Sequence, residues 1–268
     1  MTDLVKAEAL LREAAETFIM PRWRSLSEGE VEEKSGPQDL VTVADREAEL
    51  FLTRALEDLL PGSKVIGEEA VSAGTVSAAA LAGEGTFWLV DPVDGTNNFV
   101  HGSDRFGVMA ALVRDQKVRA GLIYLPVDGR CAVAEEGSGA FFGGERLRCG
   151  GTKPFSEASG DFSRTYVEEP YRSTFDLATR KGRETRQGRC SAYAYTDTAR
   201  GIIDYVIQYI MTPWDHAPGQ IIVEEAGGRF GFLPDGEAYT PVAREPRPML
   251  VTGRAGDWEG YAEVLGEV

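Results

Sequence analysis

Trp88-Leu89-Val90-Asp91-Pro92-Val93-Asp94-Gly95-Thr96-Asn97-Asn98-Phe99 is the most informative stretch of the 268-residue chain. Phe87 to Val90 reads as an apolar strand that delivers Asp91 at its carboxyl end. A strand that ends in one carboxylate, turns at a proline and presents a second carboxylate three residues later can bring two aspartates to one point, as hard divalent cations require. Gly95 lets the backbone approach a ligand closely. Thr96 is placed to open a short helix whose N–H groups face an anion, and phosphate is the natural occupant. The bare D-P-x-D-G pentapeptide also suits a solvated turn. Its flanks, the apolar strand before it and Asn98-Phe99-Val100-His101 after it, argue for the site.

Composition narrows the chemistry. Hydrophobic residues make up 43% of the chain and charged residues 26%, as in ordinary globular proteins. The formal charge of −15 argues against unaided binding to nucleic acid or an anionic membrane, so an anionic substrate needs local help from bound cations. Cys131, Cys149 and Cys190 share no metal-binding or redox spacing and read as reduced thiols. With only His101 and His216, a multi-histidine zinc centre cannot be assembled, and any metal must sit on oxygen ligands. The amino terminus has neither a signal-peptide nor a transit-peptide pattern, and no apolar run is long enough to span a bilayer. A cytoplasmic protein is the expectation.

Outward from the motif, Leu4, Ala7, Leu11, Ala14 and Phe18 repeat at helical spacing up to Pro21, and a second amphipathic helix runs from about Val43 to Leu60. Lys64 to Gly67 reads as a short strand ending at Glu68-Glu69. Phe106 to Arg148 reads as an antiparallel meander broken at Asp115-Gln116, Asp128-Gly129 and Glu136-Gly137. Beyond about Gly150 the chain alternates. The pattern predicts a strand near Arg164 to Val167, a helix from about Phe175, a helix from about Ala192 to Gly201 and a strand at Ile202 to Ile207. A helix from about Asp215 to Ala226, capped by Gly227-Gly228, and a last helix near Trp258 to Leu265 complete it. The expected division is an N-terminal α+β lobe over 1–150 and a C-terminal α/β lobe over 151–268.

The motif with its flanks resembles the signature of the inositol monophosphatase family, W-x-x-D-P-x-D-G-T-x-N-F-x-H. Three further segments fit that family in order. Asp39-Leu-Val-Thr42-Val-Ala-Asp45 resembles D-x-V-T-x-x-D, Gly67-Glu68-Glu69 resembles G-E-E, and Trp214-Asp215 with Glu225-Ala-Gly227-Gly228 resembles W-D-x-A-A-G and E-A-G-G. Individually, Asp45 suits a helix first turn, Glu68 and Glu69 suit solvated loop charges, and Asp215 suits a helix N-cap. For His101 a structural role is the expectation.

The resemblance implies the layered αβαβα sandwich of this family and a magnesium-dependent, lithium-sensitive phosphatase holding two or three ions. It implies that Glu68, Asp91 and the Val93 carbonyl hold one magnesium, and that Asp91, Asp94 and Asp215 hold a second. Thr96, hydrogen-bonded to Asp45, is expected to orient or deprotonate the attacking water, and Gly95 and Thr96 to hold the phosphate. Asp94, Asp215, Ser191 and Gln208 are the expected remaining substrate contacts. No phosphoenzyme is implied: the phosphatases that attack through a carboxylate space their aspartates as D-x-D, whereas Asp91 and Asp94 are three apart. The partner is a small phosphorylated metabolite, with neither nucleic acid nor membrane bound directly, and family members are commonly homodimers.

The leaving alcohol is less defined. Inositol phosphatases carry a glutamate seven residues before the W-D aspartate, and here Gln208 stands there. Ser191 falls where alanine is usual, and Pro218 replaces the second alanine of W-D-x-A-A-G. Fructose 1,6-bisphosphate, adenosine 3′,5′-bisphosphate and histidinol phosphate are therefore alternatives to an inositol phosphate. A regulatory protein of the transcription machinery on the same fold is the nonenzymatic alternative.

Overall fold

The computed structural model describes residues 3–266 except 28, 37–38, 149–151, 163, 165 and 243. Helix α1 (Leu4–Ala14) starts at Asp3, whose carboxylate accepts the Lys6 N–H, and buries Ala7, Leu11 and Ala14. The turn Ala15–Ile19 widens and Met20–Arg22 tightens around Pro21, so the helical path ends where the proline predicts. A hairpin follows, β1 (Val31–Gly36) against β2 (Asp39–Thr42). Thr42 then caps α2 (Val43–Leu59) in a reciprocal box: its hydroxyl accepts the Ala44 N–H, and the Asp45 carboxylate accepts the Thr42 N–H.

Strand β3 (Lys64–Gly67) leads into the single turn α3 (Glu68–Ser72), and β4 (Thr86–Asp94) leads into α4 (Thr96–Val100). The expected meander follows as β5 (Gly107–Arg114), β6 (Lys117–Leu125), β7 (Arg130–Glu135) and β8 (Gly139–Phe142), with a short β9 (Glu145–Arg146). These seven strands form one sheet in order β3 to β9, parallel only between β3 and β4. On one face α1 and α2 cover Trp88, Val90, Val108, Ala110 and Leu122.

The rest of the chain forms a second sheet. Its strands are β10 (Ser159–Phe162), β11 (Glu184–Arg186), β12 (Tyr205–Gln208), β13 (Arg229–Phe232) and β14 (Met249–Thr252), in order β11-β10-β12-β14-β13. Helices α6 (Ser191–Ala199) and α7 (Pro213–Glu225) lie between the sheets. Tyr195, Trp214 and Ile222 share one core with Leu89, Met109 and Ile123 on one side and Val206, Phe230 and Val251 on the other. The outer face carries α5 (Arg172–Lys181) and α8 (Trp258–Leu265), which pack Phe175, Trp258 and Tyr261 on Phe162, Ile207 and Leu250. The result is the expected five-layer αβαβα sandwich. No helix among the described residues is long and apolar enough to cross a membrane.

Two strands depart from expectation. The one expected at Arg164 to Val167 lies earlier, at Ser159–Phe162, and residues 163 and 165 fall outside the described set. Its Gly160 is glycine for a steric reason: a Cβ there would stand 2.3 Å from the Tyr205 ring of the next strand. The strand expected at Ile202 begins only at Tyr205, because Gly201 (φ +73°) ends α6 and Ile202 stays exposed. The expected lobe boundary near 150 also lies outside the described residues, as does Cys149.

The middle layer tolerates no added bulk. At Gly219 of α7 a Cβ would sit 2.0 Å from Cδ2 of the fully buried Tyr195 on α6. Gly219→Ala is expected to cost about 3 kcal/mol through overpacking, read as a lowered urea midpoint at unchanged slope. An unchanged midpoint would mean that the two helices can part cheaply.

Candidate active site

The geometry starts from an irregularity in β4. Asp91 pairs with Met109 and Asp94 with Gly107, so three steps along β4 match two along β5. This is a bulge at Pro92-Val93, where a proline without an N–H is accommodated. In a regular strand, residues three apart face opposite ways. The extra residue turns Asp94 onto the face that Asp91 already occupies, the face covered by α6 and α7. Val93 meanwhile is buried on the opposite side, under α1 and α2.

Three carboxylates converge there. Glu68 from the first turn of α3, Asp91 from β4 and Asp215 from the first turn of α7 each offer an oxygen, all lying within 4.8 Å of one another. Asp91 is buried, and Thr212 Oγ1 donates to Asp215 Oδ2 at 2.6 Å. Burial, and then the charges of Glu68 and Asp94, push the Asp91 and Asp215 carboxyls well above the usual carboxylate range. On the other side of Glu68, Lys34 Nζ lies 2.8 Å from Oε1 and 2.6 Å from Glu69 Oε1. Glu49 holds the turn in place by accepting the Glu69 and Ala70 N–H groups at 2.7 and 2.8 Å.

Asp94 lines the same cleft but stands apart from that trio. Its carboxylate accepts the Cys190 thiol and the Ala192 N–H, each at 2.8 Å, and the Ser191 N–H at 3.1 Å, so it caps the start of α6. Burial raises its carboxyl to about 6 against the pull of those donors. Gly95 adopts φ +83°, and a Cβ on it would meet the Arg105 carbonyl at 3.0 Å, so only glycine makes this turn into α4 easily. The Thr96 hydroxyl lies 2.9 Å from the Val93 carbonyl and 3.2 Å from Asp45 Oδ1. Asp45 Oδ2 accepts from Thr42 Oγ1 at 2.5 Å, and burial raises the Asp45 carboxyl to about 7. Ser191 and Gln208 complete one wall, with Gln208 Nε2 donating to Ser191 Oγ at 3.4 Å.

Glu68, Asp91, Val93, Asp94, Gly95, Thr96, Ser191, Gln208 and Asp215 thus line one cleft of about 280 Å³, with Asp45 behind Thr96. Sequence reasoning passed over Asp161, Arg189 and Cys190, which line it too, and Lys34 beside Glu68. Only the nearness of Arg189 and Cys190 to Ser191 hinted at them. The histidines take no part. His101 is exposed, its Nδ1 2.7 Å from the Asn97 carbonyl. His216 is buried between Tyr195 Oη at 2.7 Å and the Ile210 carbonyl at 2.6 Å, and burial lowers its pKa to about 4. Pro218 lies buried in α7, its backbone close against Gly121 of β6.

The oxygen-only donor set fits a hard divalent cation: three clustered carboxylates, desolvated and mutually repelling, are what such an ion would neutralise. The same crowding predicts a pH effect in metal-free protein. Asp45 and Glu49, each raised to about 7, are proton-binding in the fold between roughly pH 4 and 7, where the unfolded chain has released those protons. Their contribution is complete below the unfolded pKa and lost as pH rises through 7. Chelator-treated protein should therefore melt at lower temperature at pH 8 than at pH 5, and a divalent metal should restore stability at pH 8. A flat melting profile across that range would contradict the reading.

The carboxylate cluster at strand and helix ends marks a candidate divalent-cation centre between the two sheets. The family model described as "Inositol monophosphatase family" matches residues 1–254, and the chain belongs to that family. It is 33% identical over 214 residues to a fructose-1,6-bisphosphatase/inositol-1-monophosphatase of Thermotoga maritima, covering 79% of this chain and 77% of that one. It is also 33% identical over 191 residues to a histidinol-phosphatase of Chlorobaculum parvum, covering 70% of each. Among solved structures, a Thermotoga maritima IMPase superposes with a TM-score of 0.84 at 28% identity, over 100% of this chain and 98% of that one.

Proposed function

We propose that this phosphatase is a magnesium-dependent phosphomonoesterase that hydrolyses a small phosphorylated alcohol by direct attack of water. The observation that carries the reading is the Thr96–Asp45 pair set beside the cluster of Glu68, Asp91 and Asp215. Those three carboxylates, with Asp94 and the Val93 carbonyl, are the groups that would hold magnesium, which when bound supplies positive charge for a nucleophilic water and a departing oxygen. Thr96 orients that water, and Asp45, with one oxygen fixed by Thr42, receives its proton through the threonine hydroxyl. The new P–O bond forms as the ester P–O bond breaks, and the alkoxide leaves toward Ser191 and Gln208, where solvent can protonate it. No side chain in this scheme bonds to phosphorus.

The test is phosphate release from inositol 1-phosphate, fructose 1,6-bisphosphate, adenosine 3′,5′-bisphosphate and histidinol phosphate, with magnesium and with chelator. Turnover of at least one ester that chelation abolishes is expected. Release indifferent to chelation, or from none of the four, would sink the proposal.

A further inference from the structure

The cleft is lined by five carboxylates, Glu68, Asp91, Asp94, Asp161 and Asp215, and by one cation, Arg189, among the described residues. Arg189 is exposed, and no described residue gives its guanidinium a hydrogen bond or ion pair. Its backbone is left-handed at φ +49°, a conformation that a long side chain adopts at a cost. The neighbours enforce it. Gly188 donates its N–H to Asp161 Oδ1 at 2.9 Å and accepts from Asn98 Nδ2 at 2.9 Å, while the Cys190 thiol is tied to Asp94. A strained backbone fixed on both sides, carrying an unpaired cation at the lip of an acidic cleft, is an arrangement built to present that cation.

We propose that Arg189 is a specificity-determining residue that binds a second anionic group, a phosphate or a carboxylate, on the alcohol portion of the substrate. This rests on the phosphatase reading above. The reactive phosphate belongs at the cluster of Glu68, Asp91 and Asp215, and the alcohol extends along Ser191 and Gln208, both neutral. With Glu68, Asp91, Asp94 and Asp215 committed to the metal, the charged side chains left on the lining, among the described residues, are Asp161 and Arg189. An anion on that alcohol finds its cation at Arg189, and a guanidinium pairs with either group through two parallel hydrogen bonds.

The experiment compares steady-state kinetics of the magnesium-loaded protein on three esters. Glycerol 2-phosphate has a neutral alcohol, fructose 1,6-bisphosphate carries a second phosphate and 2-phosphoglycerate carries a carboxylate. Arg189→Gly removes the cation and relaxes the left-handed backbone. It should raise KM for one or both anionic esters by roughly 10- to 100-fold, leaving kcat, and both constants for glycerol 2-phosphate, within about twofold. Arg189→Lys should recover part of the loss. A loss confined to one anionic ester identifies phosphate or carboxylate as the group bound. An equal loss on all three esters, or none on any, would overturn this proposal while leaving the phosphatase intact; no release by the unmodified protein from either anionic ester would also overturn it, and the phosphatase reading falls with it only if the four esters named under its own test release no phosphate either.

Discussion

Asp91→Asn is expected to abolish phosphate release, by about 10³-fold or more, while making the metal-free protein more stable. Asp91 lies at the centre of the cleft, buried, with Glu68 and Asp215 oxygens around it and its Oδ1 already accepting the Val93 N–H at 3.1 Å. Asparagine keeps that accepted bond and the shape of the side chain. What it removes is one negative charge of the three that would neutralise a divalent ion. In the absence of metal, the new amide can donate to a neighbouring carboxylate where two charges had repelled each other. The two effects carry opposite signs, which separates loss of chemistry from loss of fold. Phosphate release and melting curves, each with and without magnesium, check it. Metal-dependent turnover within tenfold of the unmodified protein would rule out Asp91 as an essential ligand.

Thr96→Val carries the second large effect, a fall in kcat of roughly 10²- to 10³-fold with little change in KM. The hydroxyl stands between the Val93 carbonyl and Asp45, and it has only one proton to donate. When Asp45 is protonated it can return a hydrogen bond to the threonine, so the pair can pass a proton in either direction. Valine fills the same volume and leaves no hydroxyl for that exchange. Because Thr96 begins α4 and is only partly buried, the substitution should shift the melting temperature little. Thr96→Ser should recover most of the activity. A raised KM with unchanged kcat would instead make Thr96 a simple phosphate contact.

The elements legible in the sequence were those whose local pattern and tertiary role agree. The stripe of α2 declares itself because it faces one core, and the apolar run into Asp91 and the strands of the meander because, lying between two cores, they are apolar on both faces. β10 did not, since Ser159-Gly160-Asp161-Phe162 has the composition of a turn, and its glycine is explained only by the Tyr205 ring across the sheet. β13 and β14 escaped notice because their pairing closes over a long irregular connection. The site divides in the same way. Asp91, Asp94 and Thr96 sit in one contiguous motif and could be read together. Lys34 beside Glu68, Asp161 beside Gly188 and Cys190 on Asp94 are contacts between distant segments, and no local pattern announces them.

The bulge at Pro92-Val93 makes chain length between the two aspartates a determinant in its own right. Losing one residue there would restore regular alternation, but with Asp91 and Asp94 only two apart and the proline forced into a paired position. That shorter spelling is the one used by phosphatases that attack through a carboxylate. The intervening letter could therefore vary among relatives far more freely than the distance, and an alignment that opens a gap at this point would equate two different catalytic strategies.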